Sequence, residues 1–160
     1  MATMKGPEGQ RPGDIAVPRA AAVLGGGGLI PFAALALALW LAPATWADNL
    51  AAALIGYAVV ILAFMGGCRW GFAAAGLGAG PAWRPLAISV LPALYGWAVA
   101  SLPAAAAMAA LAAGFAALLA ADIGLTRAGG APGWWPALRW PLTLGAAGSL
   151  LVGSVAIALG

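Results

Sequence analysis

Five apolar runs, each long enough to cross a hydrocarbon layer of about 30 Å as a helix of about twenty residues, dominate the sequence and leave almost no chain for anything else. They cover about 20–41, 49–75, 83–102, 104–123 and 140–159. A chain with 64% hydrophobic and only 7% charged residues cannot clothe a water-facing surface, because soluble domains carry about a quarter charged residues. The mean hydropathy of +1.01 leads to the same conclusion. The expected fold is therefore all-α, a polytopic transmembrane helical bundle of about five spans, with lipid facing most of it. Residues 20–160 make one transmembrane domain. Residues 1–19 mix Lys5, Arg11 and Arg19 with Glu8, Asp14 and several Gly and Pro, and are expected to be a mobile cytoplasmic tail.

Breakers punctuate the runs. Pro43 and Asp48 follow the first. Gly76, Gly78, Gly80 and Pro81 follow the second, and Pro103 turns the third directly into the fourth. Gly76-Leu77-Gly78 looks like the start of a dinucleotide fingerprint, but no strand precedes it, so the loop reading holds. The stretch 124–138, with Gly129, Gly130 and Pro132, is expected to be the longest internal loop.

Charge orients the bundle, because basic residues are retained on the cytoplasmic side of short loops. Lys5, Arg11 and Arg19 precede the first run, Arg69 and Arg84 flank the second turn, and Arg127 and Arg139 bracket the last. The opposite loops hold Asp48 or no charge. The amino terminus is thus expected in the cytoplasm and the carboxyl terminus outside. Tryptophans prefer the headgroup level; Trp40, Trp46 and Trp97 fall on the outer side, and Trp70, Trp83, Trp134, Trp135 and Trp140 on the inner. The pI of about 9.8 rests on seven scattered Lys and Arg residues, which fit topology and not a nucleic-acid footprint.

The polar inventory is small. Arg69 near the cytoplasmic end of span two and Asp122 near that of span four are the two intramembrane charges at similar depth, joined in that half by Ser89 and Thr143. For Arg69 three readings stand in order: snorkelling to water, a structural ion pair with Asp122, and a proton or substrate site. Gly66, Gly67 and Gly71 on span two and Gly145, Ser149 and Gly153 on span five have small-residue spacing that lets helices approach closely, by default within the same chain. Pro31 and Pro92 lie inside spans one and three and interrupt backbone hydrogen bonding there. With no histidine, four dispersed acids and no Gly-x-Ser-x-Gly elbow, no catalytic, metal or cofactor site is expected, and the chain is not expected to be an enzyme. The lone Cys68 allows no internal disulfide.

Three stretches resemble a known family: Ala16-Val17-Pro18-Arg19-Ala20 with Gly28-Leu29-Ile30-Pro31-Phe32, then Gly56-Tyr57 through Gly71, then Leu138-Arg139-Trp140-Pro141-Leu142-Thr143. Together they look like the bacterial domain-of-unknown-function family 3429, which includes transmembrane protein 69 of animals. The resemblance implies a multi-span membrane protein and, from its mostly bacterial membership, the inner membrane. It supplies no reaction, substrate or cofactor. The family has His or Arg at the Arg69 position; here it is Arg, so an imidazole role does not carry over.

Two functions remain for such a chain. One is a small membrane interaction or assembly protein whose partners are the lipid bilayer and other membrane proteins or itself. The other is an oligomeric small-solute permease or channel with a polar site near Arg69 and Asp122.

Overall fold

The computed structural model describes residues 16–160. Of the expected tail at 1–19, residues 1–15, with Lys5, Glu8, Arg11 and Asp14, lie outside the described residues, while Arg19 opens a helix. The described chain is a bundle of seven α-helices: α1 (Arg19–Gly27), α2 (Leu29–Leu41), α3 (Ala47–Ala74), α4 (Trp83–Ser89), α5 (Leu91–Val99), α6 (Ala104–Arg127) and α7 (Trp135–Leu159), with a 3-10 turn at Ala44–Trp46. Long stretches of Ala and Leu, both strong helix formers, propagate these helices. Prolines set several of their ends. Ala42 before Pro43 takes an extended backbone (φ −81°, ψ 156°), as a residue preceding proline prefers, and closes α2. Pro103 precedes α6, and α7 begins with Pro136 in its first turn, where a missing N–H costs nothing.

Glycines set the opposite ends of α3 and α6 by one shared device. Gly76 (φ 77°) follows α3, with Gly76 N–H donating to the Ala73 carbonyl and Leu77 N–H to the Phe72 carbonyl. Gly129 (φ 75°) follows α6, with Gly129 N–H donating to Thr126 and Gly130 N–H to Leu125. Each is the paired closure that satisfies orphan carbonyls through a left-handed residue, which glycine adopts without steric cost.

Four helices are long and apolar enough to cross a membrane: Arg19–Leu41, taking α1 and α2 together, then Ala44–Ala74, Ala104–Arg127 and Trp135–Leu159. The expected third span, 83–102, is instead two helices of seven and nine residues. Pro92 is the physical reason, since it cannot donate to the Ile88 carbonyl, and the helix resets at Val90. The expected loop at 124–138 also shrinks, because α6 continues to Arg127 and α7 starts at Trp135.

Neighbour contacts give each leg its direction. A Cβ on Gly66 would meet the Ser89 carbonyl and Pro92, while one on Gly96 would meet Val59 and Leu62, so α4 and α5 run antiparallel to α3. Gly25 lies against Leu138 and Leu142, Gly145 against Leu29, and Trp40 Nε1 donates to the Val152 carbonyl at 3.2 Å, so α1–α2 and α7 are parallel. Ser154 Oγ donates to the Ala105 carbonyl at 2.8 Å at one end, and Arg139 meets Asp122 at the other, which makes α6 and α7 antiparallel. Arg69, Arg84, Arg127 and Arg139 thereby belong to one end of the bundle, with the start of α1, and Asp48 to the other.

The core holds Phe32, Ala36, Leu54, Ala58, Leu62, Met108, Leu111, Phe115 and Leu150. Phe32 packs edge-on against Tyr57 and Phe115, with ring centroids 5.0 and 5.9 Å away. Small residues let the helices close. A Cβ on Gly153 would come within 2.8 Å of Leu54, 3.2 Å of Leu39 and 3.2 Å of Met108, three different helices.

Candidate functional site

The described charges that lie deepest meet at the Arg-rich end. Asp122, on α6 and fully buried, accepts from Arg69 Nη1 of α3 at 2.6 Å and from Arg139 Nε of α7 at 2.9 Å. One carboxylate thus ties three helices together. Arg139 is itself only 2% exposed; its Nη1 donates to Met65 Sδ at 2.9 Å, and its guanidinium lies 5.9 Å from the Trp135 ring centroid. Two guanidinium groups and one carboxylate leave one net positive charge. Burying a charge is expensive unless it is paired and hydrogen-bonded, and Asp122 meets that condition at both of its oxygens. Arg139 meets it incompletely, since its Nη2 has no partner.

Arg69 and Asp122 are thus neighbours, in place of a lone Arg69 snorkelling to water: the Arg69 side chain is 11% exposed and spends its reach on Asp122. Arg139 is also corrected. Instead of bracketing the last turn, it lies inside, because α7 starts at Trp135 and not at Trp140. Trp135 leaves the interfacial belt for the same reason: it is 5% exposed and packs edge-on against Phe72 at 5.0 Å. Trp40, Trp46, Trp70, Trp83, Trp97 and Trp140 remain exposed.

Ser89 and Thr143 do not join the charges. Ser89 is buried, with Oγ donating to the Leu86 carbonyl at 2.6 Å within its own turn. Thr143 is buried one turn beyond Arg139, and its Oγ1 has no partner. Thr126 Oγ1 donates to the Asp122 carbonyl at 3.0 Å. Among the packing residues, a Cβ on Gly66 would stand 2.5 Å from the Ser89 carbonyl, Gly145 lies against Leu29 and Gly153 at the junction just described, with Ser149 partly exposed beside them. The expectation that Gly67 and Gly71 pack within the chain is corrected: both are exposed, and a Cβ on either would meet nothing within 4 Å. Their one-turn spacing faces outward because Gly66, Met65 and Ala73 take the inward face of α3.

A cavity of about 350 Å³ opens beside the charge network. Ala21, Leu24 and Gly25 of α1 wall one side, Phe64, Met65 and Cys68 of α3 the other, and Trp135, Arg139 and Leu142 of α7 its back. Gly28 belongs to its wall; there Tyr57 Oη donates to the Gly28 carbonyl at 2.9 Å, and α1 packs against α7. Nothing in the sequence pattern marked this cavity. Among the described residues no cluster of three His, Cys, Asp or Glu side chains suits a metal ion.

Comparison with known proteins adds the lineage. The family described as "Protein of unknown function (DUF3429)" matches residues 17–155. Transmembrane protein 69 of Xenopus tropicalis is 37% identical over 143 residues, which is 86% of this chain and 54% of that protein. The chain therefore spans about half the length of this curated relative. No solved structure matches.

Proposed function

The chain belongs to the DUF3429 family of membrane proteins, and from that premise we propose that it is a small membrane interaction or assembly protein that binds another transmembrane helix along α3 and performs no chemistry of its own. One observation carries this reading: Gly67 and Gly71 form an open small-residue surface, flanked by the exposed Phe64 and Trp70, and among the described residues nothing lies within 4 Å of a Cβ placed on either glycine. Helices associate in lipid through close backbone approach, which side chains larger than glycine or alanine prevent. Exposed aromatic rings beside the glycines supply the packing area around that approach. The permease alternative loses its support in the same geometry, since Arg69 and Asp122 are joined to each other and to Arg139 and a solute would have to break that network to use them.

The same proposal places the protein in a bacterial inner membrane with five crossings, the amino terminus in the cytoplasm and the carboxyl terminus outside. It is supported by the gathering of Arg69, Arg84, Arg127 and Arg139 at one end. It is supported too by the return path of α4 and α5, whose seven and nine residues with Val90 between them rise about 25 Å along α3.

The test is crosslinking in native membranes from a single cysteine at position 71 in a Cys68→Ala background, with position 152 on α7, also exposed, as the control face. A discrete product of defined stoichiometry from position 71, absent from position 152 and abolished by Gly67→Leu, is expected. Equal products from both positions, or none from position 71, would overturn the reading.

A further inference from the structure

A second cavity, of about 450 Å³, lies at the Arg-rich end of the bundle, between the end of α3, the loop that follows it, α4 and the end of α6. Arg69 and Arg84 both line it, and no described acid does. Asp122 has nothing left to give it, because one of its oxygens accepts from Arg69 and the other from Arg139. Arg84 has no ion-pair partner among the described residues, so three arginines share one carboxylate here and two positive charges stand in excess. Arg69 is held in place but not used up. Its Nη1 is spent on Asp122, while Nε and Nη2 have no acceptor among the described residues. Nor are those two nitrogens enclosed, since the buried side-chain atoms without a partner are Trp135 Nε1, Arg139 Nη2 and Thr143 Oγ1. Arg69 therefore brings accessible, already positioned donors to the cavity without breaking its bond to Asp122. Gly78 and Gly80 put no side chain in the wall, and their N–H groups have no acceptor among the described residues. Trp70 and Trp83, next in sequence to the two arginines, are exposed, and indoles prefer the head-group level of a membrane. The cavity thus stands at the depth of lipid phosphates, beside water.

From these observations we propose that this cavity binds a terminal phosphate group, held between Arg69 of α3 and Arg84 of α4. Guanidinium groups match phosphate oxygens through pairs of parallel N–H donors, and a terminal phosphate has oxygens enough for two such forks. Its charge of −1.5 to −2 near neutral pH, about that of a phosphate monoester, offsets the excess of two. A carboxylate, with one charge and two oxygens, serves one fork and leaves the other empty. Two sources share this chemistry, the head group of phosphatidic acid in the bilayer and a phosphate dissolved in the water beside it.

The full chain is held in phosphorus-free maltoside micelles at constant ionic strength, and its thermal unfolding midpoint is followed against ligand concentration, since a ligand of the folded state raises it. Two pairs of probes are compared: dihexanoylphosphatidic acid with dihexanoylglycerol, and sodium phosphate with sodium acetate. The phosphate-bearing member of a pair is expected to raise the midpoint and its counterpart to leave it unchanged. A response to both phosphates shows that the group alone is recognised, a response to phosphatidic acid only assigns the lipid source, and a response to sodium phosphate only assigns the dissolved one. Arg84→Gln should weaken the apparent affinity about tenfold, as the loss of a charge-assisted hydrogen bond implies. Arg127→Gln removes the same charge from the same end of the bundle, but outside the cavity, and should change it by about twofold at most. Both arginines are exposed, so neither replacement disturbs the core. No response to either phosphate, a response to acetate or dihexanoylglycerol as large as that to its counterpart, or equal effects of Arg84→Gln and Arg127→Gln overturns the proposal. The paired probes need no variant, so they decide by themselves.

Discussion

Removing the Asp122 carboxylate should cost more stability than removing either of its arginine partners. In the wild type two positive groups flank one negative group at 2.6 and 2.9 Å. Asp122→Asn leaves two like charges facing each other inside the bundle, and the loss of one partner from a buried pair costs about 3–5 kcal/mol. Arg69→Met and Arg139→Met each leave a neutral pair behind, so each forfeits chiefly one charge-assisted hydrogen bond, about 1.5–3 kcal/mol. Arg69, the more exposed of the two, should fall at the lower end. In a bilayer the unfolded reference state also finds hydrogen-bond partners, which compresses all three values without changing their order. The combination Arg69→Met, Asp122→Leu and Arg139→Met replaces the whole network by apolar volume and should lie within about 2 kcal/mol of wild type. The assay is reversible unfolding in mixed micelles followed by tryptophan fluorescence. A double-mutant cycle for Asp122→Asn and Arg139→Met should give a coupling energy of about 1.5–3 kcal/mol. Additive single effects, or an Asp122→Asn variant as stable as Arg69→Met, would refute the reasoning.

Three further outcomes follow from the packing. Gly66→Ala should destabilise by about 1–3 kcal/mol, because its Cβ would meet the Ser89 carbonyl at 2.5 Å, while Gly67→Ala one residue on should be neutral or stabilise by up to about 1 kcal/mol; equal effects in a thermal-shift measurement would contradict the assignment of faces. Tyr57→Phe removes the donor to the Gly28 carbonyl, so stability should fall by about 1 kcal/mol, and hydrogen exchange near Gly28 should quicken; unchanged exchange would show that this bond does not pin the break between α1 and α2. A reporter active only in the cytoplasm should be active when fused to the amino terminus, at Gly78 or at Gly130, and silent at Asp48 or Gly160, and activity at Gly160 would overturn the five-crossing path.

The residues differ in how far their roles were legible from sequence, and the reasons are physical. Helices dominate because a chain in lipid must satisfy its backbone internally, and runs that are apolar continuously, without the alternation of barrel strands, do so as helices. The proximity of Arg69 and Asp122 was open to inference because few charges share that depth. Arg139 was not, although Pro136 in the first turn of α7 is a helix-start signal that would have drawn it inside. The apolar run strengthens only at Trp140, so its pattern alone predicts a helix start there and puts both Arg139 and Trp135 at the surface. The division of 83–102 into α4 and α5 had a visible cause in Pro92, but kink and break look alike until neighbours settle which occurs. The outward direction of Gly67 and the inward direction of Gly66 depend on rotation of α3 about its axis, to which a helix apolar on all sides gives no clue. The cavity depends on how α1 packs against α7, a matter of tertiary packing alone.

Solid-state NMR of the protein in lipid bilayers reads directly whether one carboxylate joins α3, α6 and α7. With 15N-arginine and 13C-aspartate labels in an Asp14→Asn, Asp48→Asn background, which leaves Asp122 as the one labelled aspartate, its carboxyl carbon should show strong dipolar coupling to side-chain nitrogens of two different arginines. One coupling should vanish in Arg69→Met, the other in Arg139→Met, and both in Asp122→Asn, as contacts of 2.6 and 2.9 Å require. Coupling to one arginine only, or an Arg139 side chain that exchanges freely with water, would contradict the account.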